Sequence, residues 1–338
     1  LVSTGGSRMQ EGMRALSQLQ RVARQSALTR AAGVPQLAVA RHPTTGGGWA
    51  ALAAGSDVVL AVTGAQVAFA GSRVRPADAD PAAYTAEAQF AAGHVDRLVA
   101  AGGLRGTLGR WLTLLGGPAA GRVAPPRALS GVAPPTTGWE AVQRARAVHR
   151  PRADAYLDAC FTLREETGGD RCGGRDDGVV CGFGRLPDGT VAAFAAQRGT
   201  PTRPAGFRTA ARLVRLADRL GVPVLTLVDT PGAAGDDEAE RAGTGPAVAE
   251  CFAAMAEARV PVTTLVIGEG GSGGALALAA QGHTWMTPDS YFSVIAPESA
   301  AAVLKRDASR VRETAGALRL RPQDVTDLGV ARGVVGPA

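Results

Sequence analysis

Cysteine is scarce in this chain, with four in 338 residues at Cys160, Cys172, Cys181 and Cys251. No two form a Cys-x-x-Cys pair, which excludes zinc-ribbon spacing and a disulfide framework and fits a reducing, cytoplasmic setting. The four histidines, His42, His94, His149 and His283, have neither metal-ligand nor triad spacing, so no metal site is expected. Aromatics are few: eight phenylalanines, four tryptophans and three tyrosines. With arginines scattered along the chain, this excludes the stacked basic surface of a nucleic-acid binder. No apolar run reaches bilayer length and no signal peptide is visible, so no membrane partner is expected.

Glycine is abundant, at 45 residues, in a chain 46% apolar and 20% charged, which is a globular composition. The net charge of +6 suits an acidic substrate or partner. The densest glycine cluster lies in Val266-Ile267-Gly268-Glu269-Gly270-Gly271-Ser272-Gly273-Gly274-Ala275. An apolar run, Val260–Ile267, predicts a buried parallel strand, and small helix-forming residues follow the glycines. Strand, turn and helix place unbonded first-turn N–H groups at the carboxyl edge of a sheet, where they suit an anion or a developing oxyanion. Gly268-x-Gly270-x-x-Gly273 also spells a dinucleotide fingerprint, but Asp289 precedes an apolar run instead of closing one. Tight helix–strand packing alone is the remaining reading of these glycines.

The same unit occurs twice. Leu1-Val2 pairs with Leu227-Val228, Pro35 with Pro261 and Gly47 with Gly274, at an offset of about 226 residues. In the first half, a strand ends at Thr4-Gly5-Gly6, a helix runs to about Ala32, and Val34–Ala40 is a strand. Pro43-Thr44-Thr45-Gly46-Gly47-Gly48 and a helix over Trp49–Ala54 follow, then strands at Asp57–Val62 and Gln66–Ala70. In the second half, Leu227–Gly232, a helix over Ala247–Ala258 and the strand Val260–Ile267 repeat the order. The second half opens with a hairpin, Val179–Phe183 and Thr190–Ala195, and a helix over Phe207–Leu220. The first half has no counterpart, so roughly 50 residues of its domain are expected ahead of Leu1. The predicted organisation is α/β: a first domain over residues 1–115, a proline-rich linker over 116–138 and a second domain over 139–338, opening with helix over Trp139–Glu166.

In each half two turns end neighbouring parallel strands, so one N–H from each can form a two-donor oxyanion hole. Two holes suit a reaction in which two oxygens change charge. Ser272 lies within its turn with no histidine placed to serve it, and Ser3, Ser7 and Thr230 are no better as nucleophiles. Asp229 and Glu269 are candidate acids or bases, though Asp229 serves equally as a cap for the next turn. Asp236, Asp237, Glu238 and Glu240 read as a solvated helix N-terminus.

These residues carry a family resemblance. Ser3-Thr4-Gly5-Gly6-Ser7-Arg8-Met9-Gln10-Glu11, Pro43-Thr44-Thr45-Gly46-Gly47 and Phe69-Ala70-Gly71-Ser72-Arg73-Val74 resemble the beta subunit of bacterial acetyl-CoA carboxylase carboxyltransferase. Asp229-Thr230-Pro231-Gly232-Ala233, Gly268–Ala277 and Tyr291–Glu298 resemble its alpha subunit, here in the same polypeptide. The resemblance implies two crotonase-like ββα-superhelix domains, the first incomplete at its N-terminus. It implies transfer of a carboxyl group from carboxybiotin, on a separate carrier protein, to acetyl-CoA or a related acyl-CoA. The product is malonyl-CoA or a homologue, for fatty-acid or polyketide synthesis. Gly46 and Gly47 would hold the thioester oxygen, with Gly5, Gly6, Arg8, Thr45, Gly71 and Arg73 binding the acyl-CoA. Gly273 and Gly274 would hold the biotin ureido oxygen, with Gly232, Ala233, Gly271, Ser272 and Val294 around the biotin. Implied partners are the biotin carboxyl carrier protein, biotin carboxylase and a second copy of the chain in a homodimer or larger homo-oligomer.

The chain also departs from the family. The beta subunit's zinc ribbon is not in these residues, so any zinc would lie in a segment not present here. After Gln197-Arg198-Gly199-Thr200-Pro201 the family's lysine-rich stretch is shortened, and Ala234-Gly235 replaces Tyr-Pro. A biotin-independent malonyl-CoA-type decarboxylase, a transcarboxylase and a non-catalytic scaffold of a carboxylase complex remain alternatives on the sequence.

Overall fold

Short runs of valine, leucine and alanine become buried parallel strands in both halves of the chain. The computed structural model describes residues 1–337, which divide into two units. The first takes in Leu1–Gly117 together with Glu165–Arg175 and Arg219–Gly221. Its strands are β1 (Val2–Thr4), β2 (Leu37–Thr45), β3 (Val58–Val62), β4 (Val67–Ala68) and β5 (Arg97–Val99). The order is β1-β2-β3-β5, with β4 also paired to β2, and every one of these pairings is parallel. β3 is covered on both faces, as its unbroken Val-Val-Leu-Ala run requires. Val59, Ala61, Val67, Trp49 and Val95 form the core around it. The helix Gly12–Ala31 ends in a left-handed Gly33 (φ +77°), close to the predicted stop.

Two boundaries in this unit differ from the sequence expectation. β2 begins at Leu37 instead of Val34 and runs on to Thr45, and the alanine-rich helix starts early, at Gly46. Trp49–Ala53 is wound wide as a π turn. Buried charge then ties the segment 165–175 into the unit. Glu165, 2% exposed, binds both Arg97 and Arg110. Asp96 accepts from Val59 N–H, Gly168 N–H and the Arg171 guanidinium.

In the second unit (Pro118–Arg164, Asp176–Asp218 and Val222 onward) the proline-rich segment is bonded along its length. Val191 N–H donates to Pro118 O, Ala128 N–H to Gly336 O and Thr263 Oγ1 to Val123 O. The predicted linker is therefore part of this unit from Pro118. The helix expected over Trp139–Glu166 is two helices, Gly138–Ala145 and Ala153–Cys160, because Pro151 cannot sit in a helix interior. Then comes β6 (Leu163–Thr167), along which the chain passes from one unit to the other.

The remaining strands are β7 (Val179–Arg185), β8 (Val191–Gln197), β9 (Val224–Thr230), β10 (Val262–Gly271), β11 (Thr284–Met286), β12 (Tyr291–Ser293) and β13 (Gly333–Val334). From β13 to β7 the order is β13-β11-β10-β9-β8-β7, with β12 also on β10. β7 and β8 are the predicted antiparallel hairpin, closed by Gly189 at φ +86° with Asp188 Oδ1 accepting from Thr190 N–H. The helix Pro204–Leu220 buries Phe207, Leu213 and Val214. Phe194, Leu225, Leu265 and Ile267 are wholly buried, each worth about 1.5–3 kcal/mol relative to exposure.

β10 does not stop where the glycines begin. It continues through Gly268, Gly270 and Gly271, with its register on β9 slipping between Val266 and Gly270. A Cβ on Gly268 would lie 2.3 Å from both Arg150 and Asp229, and one on Gly271 would lie 2.0 Å from Pro231 O. These glycines admit neighbours to the strand, and the turn proper starts at Ser272. No helix among the described residues is long and apolar enough to cross a membrane.

Candidate active site

The end of β9 makes the first turn of the second unit. Thr230 Oγ1 accepts the Gly232 N–H at 3.1 Å, and its single hydroxyl proton has two alternative acceptors, Thr200 O and Gly232 O, each at 2.8 Å. Gly232 takes φ +145°, which only glycine adopts readily. Next to it, Thr202 N–H donates to Gly232 O and Ala234 N–H donates to Thr202 O. The Ala233 N–H between them has no partner among the described residues.

The end of β10 makes the second turn. Gly271 is the N-cap and Ser272–Leu276 the helix, so the N–H groups of Ser272, Gly273 and Gly274 precede its first i→i−4 bond. Ser272 sits at φ +56°, a strained position for a residue with a Cβ. A Cβ on Gly274 would lie 2.3 Å from Ala233 N and 2.6 Å from Gly232 C. The two turns therefore meet backbone to backbone, with an unbonded N–H beside a helix N-terminus.

The first unit repeats this arrangement in detail. Thr4 Oγ1 accepts the Gly6 N–H at 3.1 Å, Gly6 has φ +117°, and the Ser7 N–H has no partner among the described residues. Gly46 has φ +61° and matches Ser272, so Gly47 corresponds to Gly273 and Gly48 to Gly274. The pairing of Gly47 with Gly274 read from the sequence was one residue out. Gly46 N–H donates to Phe69 O at 2.9 Å, which leaves Gly47 as the first-turn donor. A Cβ on Gly48 would strike Thr4 Cγ2 at 2.3 Å, and one on Gly47 would strike Leu19 Cδ1 at 2.0 Å.

Around this first pair, Thr45 Oγ1 donates to Thr4 O at 3.2 Å, and a Cβ on Gly71 would stand 3.6 Å from Thr45 Oγ1 and 3.8 Å from Gly5 O. Gly5, Thr45 and Gly71 are thus brought together. Arg8 and Arg73 are exposed, and Arg8 lies 3.5 Å from Glu11.

Beside the second pair opens a cavity of ≈ 480 Å³ lined by Ser272, Gly273, Leu276, Phe292 and Val294 among others. A second cavity of ≈ 380 Å³ shares Leu276, Phe292 and Val330 with it. The segment bearing Val294 is held by Arg146, which binds Glu269 at 2.8 Å and Glu298 at 2.6 Å. Tyr291 OH donates to Glu269 Oε2 at 2.8 Å. Burial, reinforced by Glu269, pushes the Tyr291 phenol above its usual range, while the Arg146 hydrogen bond holds Glu298 below the usual carboxylate value.

Asp229 is not a cap. It lies within β9, fully buried, with Arg150 Nη2 at 2.5 Å and 2.6 Å from its two oxygens. Burial pushes its carboxyl up and Arg150 pulls it back. Its Oδ1 also accepts Glu269 N–H at 3.1 Å, and Arg150 Nη1 donates to Ile267 O at 3.2 Å, so the pair fastens β9 to β10 below the turns. Asp236 to Glu240 form a helix N-terminus as predicted, and Asp236 caps it by accepting Ala239 N–H. No group of three or more His, Cys, Asp or Glu side chains that could hold a metal occurs among the described residues.

Sequence reasoning passed over Thr202, Arg150, Arg146 and Gly48. Arginine and threonine carry no spacing signal, and Gly48 was hidden by two adjacent glycines.

A family model described as acetyl co-enzyme A carboxylase carboxyltransferase-like matches residues 133–337, the larger part of the chain. The chain belongs to the acetyl-CoA carboxylase carboxyltransferase family. A carboxyl transferase domain model matches residues 1–97. Among curated members of the family, the chain is 38% identical over 363 residues to the acetyl-coenzyme A carboxylase carboxyl transferase subunits beta/alpha of Salinispora tropica. That alignment covers 99% of this chain and 64% of the relative, so the chain spans about two-thirds of its length at most. The alpha subunit of Aquifex aeolicus is 40% identical over 208 residues, covering 58% of this chain and 64% of that protein. Among solved structures, a transcarboxylase 12S with hydrolysed methylmalonyl-coenzyme A bound superposes with a TM-score of 0.79 at 22% identity, over 99% of this chain and 68% of its own. A single-chain, multi-domain long-chain acyl-CoA carboxylase gives 0.71 at 20% identity, over 94% and 33%. The fold is α/β with two crotonase-like domains, as the family resemblance implied.

Proposed function

We propose that the chain is a carboxyltransferase that moves a carboxyl group from carboxybiotin, borne by a separate carrier protein, to acetyl-CoA or a related acyl-CoA. The product is malonyl-CoA or a homologue, feeding fatty-acid or polyketide synthesis. The reading rests on the unpartnered Ala233 N–H beside the first-turn N–H groups of Gly273 and Gly274, repeated by Ser7 beside Gly47. The cavity next to Gly273 suits a biotin headgroup: backbone donors at one end answer a ureido oxygen, and Leu276, Phe292 and Val294 offer an apolar wall. Carboxybiotin bound there supplies the carboxyl group and, once relieved of it, a basic nitrogen for the α proton. Ala233 and Gly273 N–H stabilise the charge that develops on the ureido oxygen, and Gly232, Gly271 and Ser272 shape the turn that aims them.

In the first unit, Ser7 and Gly47 N–H stabilise the thioester oxygen as it takes on enolate charge. Gly5, Gly6, Gly46, Thr45 and Gly71 form the wall, and the exposed Arg8 and Arg73 suit the CoA phosphates. Asp229 and Glu269 already serve ion pairs, which accords with a reaction that recruits no protein carboxylate as base. The carrier protein and biotin carboxylase are the expected partners in a cytoplasmic complex. Exposed apolar residues at the cavity mouth, Leu276, Val294, Leu328 and Val330, suit a homodimer or larger homo-oligomer.

The test is to incubate the purified protein with malonyl-CoA and free biotin and follow acetyl-CoA release. Release that depends on biotin supports the reading. Release without biotin favours a decarboxylase, and none in either case favours a scaffold.

A further inference from the structure

We propose that Gln197 is the positioning residue that sets the gap between the two N–H donors of the second unit, an inference that rests on the function proposed above. Gln197 is the last residue of β8 and is wholly buried. Its Nε2 donates to Gly274 O at 3.1 Å and to Thr202 Oγ1 at 3.0 Å. Gly274 belongs to the helical turn. Thr202 governs the other turn, because its backbone brackets Ala233 by bonding Gly232 O at 2.9 Å and Ala234 N–H at 2.8 Å. In such a parallel bridge the bracketed residue turns its own N–H to the opposite side, which accounts for the unpartnered Ala233 N–H. One planar amide thus ties both turns to a single point on the sheet.

The remaining atom of the amide supports a functional role. Gln197 Oε1 is buried with no hydrogen-bond partner among the described residues. An orphaned buried acceptor is unfavourable, and a hydrocarbon side chain of equal length would fill the space without it. Such a side chain could not hold Gly274 O. Nor can the amide reverse, since Gly274 O only accepts and requires Nε2 to face it. Gln197 is therefore suited to fixing the second turn against the first at some cost to stability.

The experiment compares Gln197→Met with the unaltered protein by hydrogen exchange and by kinetics. Exchange in the peptides spanning Thr230–Ala234 and Ser272–Leu276 should rise by about tenfold or more, with none at Thr263–Val266 in the core of β10. The kcat for biotin-dependent acetyl-CoA release should fall by about 10²-fold, with KM for free biotin within about threefold. Unchanged exchange at both turns overturns the proposal, as does acceleration spread evenly over the sheet. If the unaltered protein shows no biotin-dependent release, the functional reading fails, while the exchange pattern still decides whether Gln197 fixes the turns. Should Gln197→Met not fold, Thr202→Val removes the acceptor through which Gln197 reaches the first turn, together with the weaker 3.4 Å contact from Thr202 Oγ1 to Thr230 Oγ1, and leaves the bond to Gly274 O in place. It should speed exchange only at Thr230–Ala234, Thr202→Ser should restore it, and no change in Thr202→Val overturns the proposal.

Discussion

Replacing Gly274 by alanine adds one methyl group where two backbones already touch. The new Cβ would begin 2.3 Å from Ala233 N and 2.6 Å from Gly232 C, whereas ordinary contact starts at 3.4 Å. Both neighbours are main chain, so no side-chain rotation relieves the overlap and the turns must part by about 1 Å. A misplacement of that size costs on the order of 10²-fold in rate, and loss of one oxyanion donor costs about 2.7–4 kcal/mol of transition-state stabilisation. We expect kcat for biotin-dependent acetyl-CoA release to fall between about 10²- and 10³-fold, with about 1–3 kcal/mol lost from stability through overpacking. Gly273→Ala is the control, because its Cβ meets nothing within 4 Å and projects into open space. It should raise KM for biotin and leave kcat within about threefold. Steady-state kinetics with urea denaturation on both variants decides the matter. If Gly274→Ala folds and keeps its kcat within about threefold, the gap between these turns does not govern the chemistry.

Gly47→Ala meets only the movable Leu19 side chain, so its kcat should fall by less than that of Gly274→Ala in the same assay. Ser272→Gly removes the strain at φ +56° and should raise stability by up to about 1 kcal/mol in urea denaturation. Arg150→Met leaves the buried Asp229 with only the more distant Arg152, at 3.5 Å, and should cost about 3 kcal/mol, with part recovered in the double variant with Asp229→Asn. Glu298 is held below its usual 4.5 by Arg146, so its contribution is fully present above that pH and is lost as the pH falls through the lowered value. Thermal denaturation between about pH 6 and 3 should show that slope flattened in Arg146→Gln.

The repeat, the hairpin and the strand–turn–helix order were legible because they depend on local patterns: alternating glycine clusters, apolar runs and turn residues at a fixed offset. Boundaries inside glycine clusters were not. Gly268, Gly270 and Gly271 look like turn residues, yet they lie in β10 because Arg150, Phe292 and Pro231 approach too closely for any Cβ. The lead-in over 139–166 reads as helix by composition, and tertiary pairing draws its end into β6. The partners that shape the turns, Thr202, Gln197 and Arg150, come from other parts of the second unit, and no spacing within a motif could have linked them. The matching φ values of Gly46 and Ser272, invisible in the letters, fix the register between the halves.

The segment Glu165–Arg175 follows the opening of the second unit in the chain yet completes the first, where Glu165 gathers Arg97 and Arg110 and Arg171 reaches Asp96. Cleaving the polypeptide after Gly117 would not yield two self-sufficient pieces. The N-terminal fragment would retain two arginines facing a void and an aspartate stripped of its cation, while the matching groups left with the other fragment. Expressed alone, that fragment should be far less robust than the same residues in the intact chain.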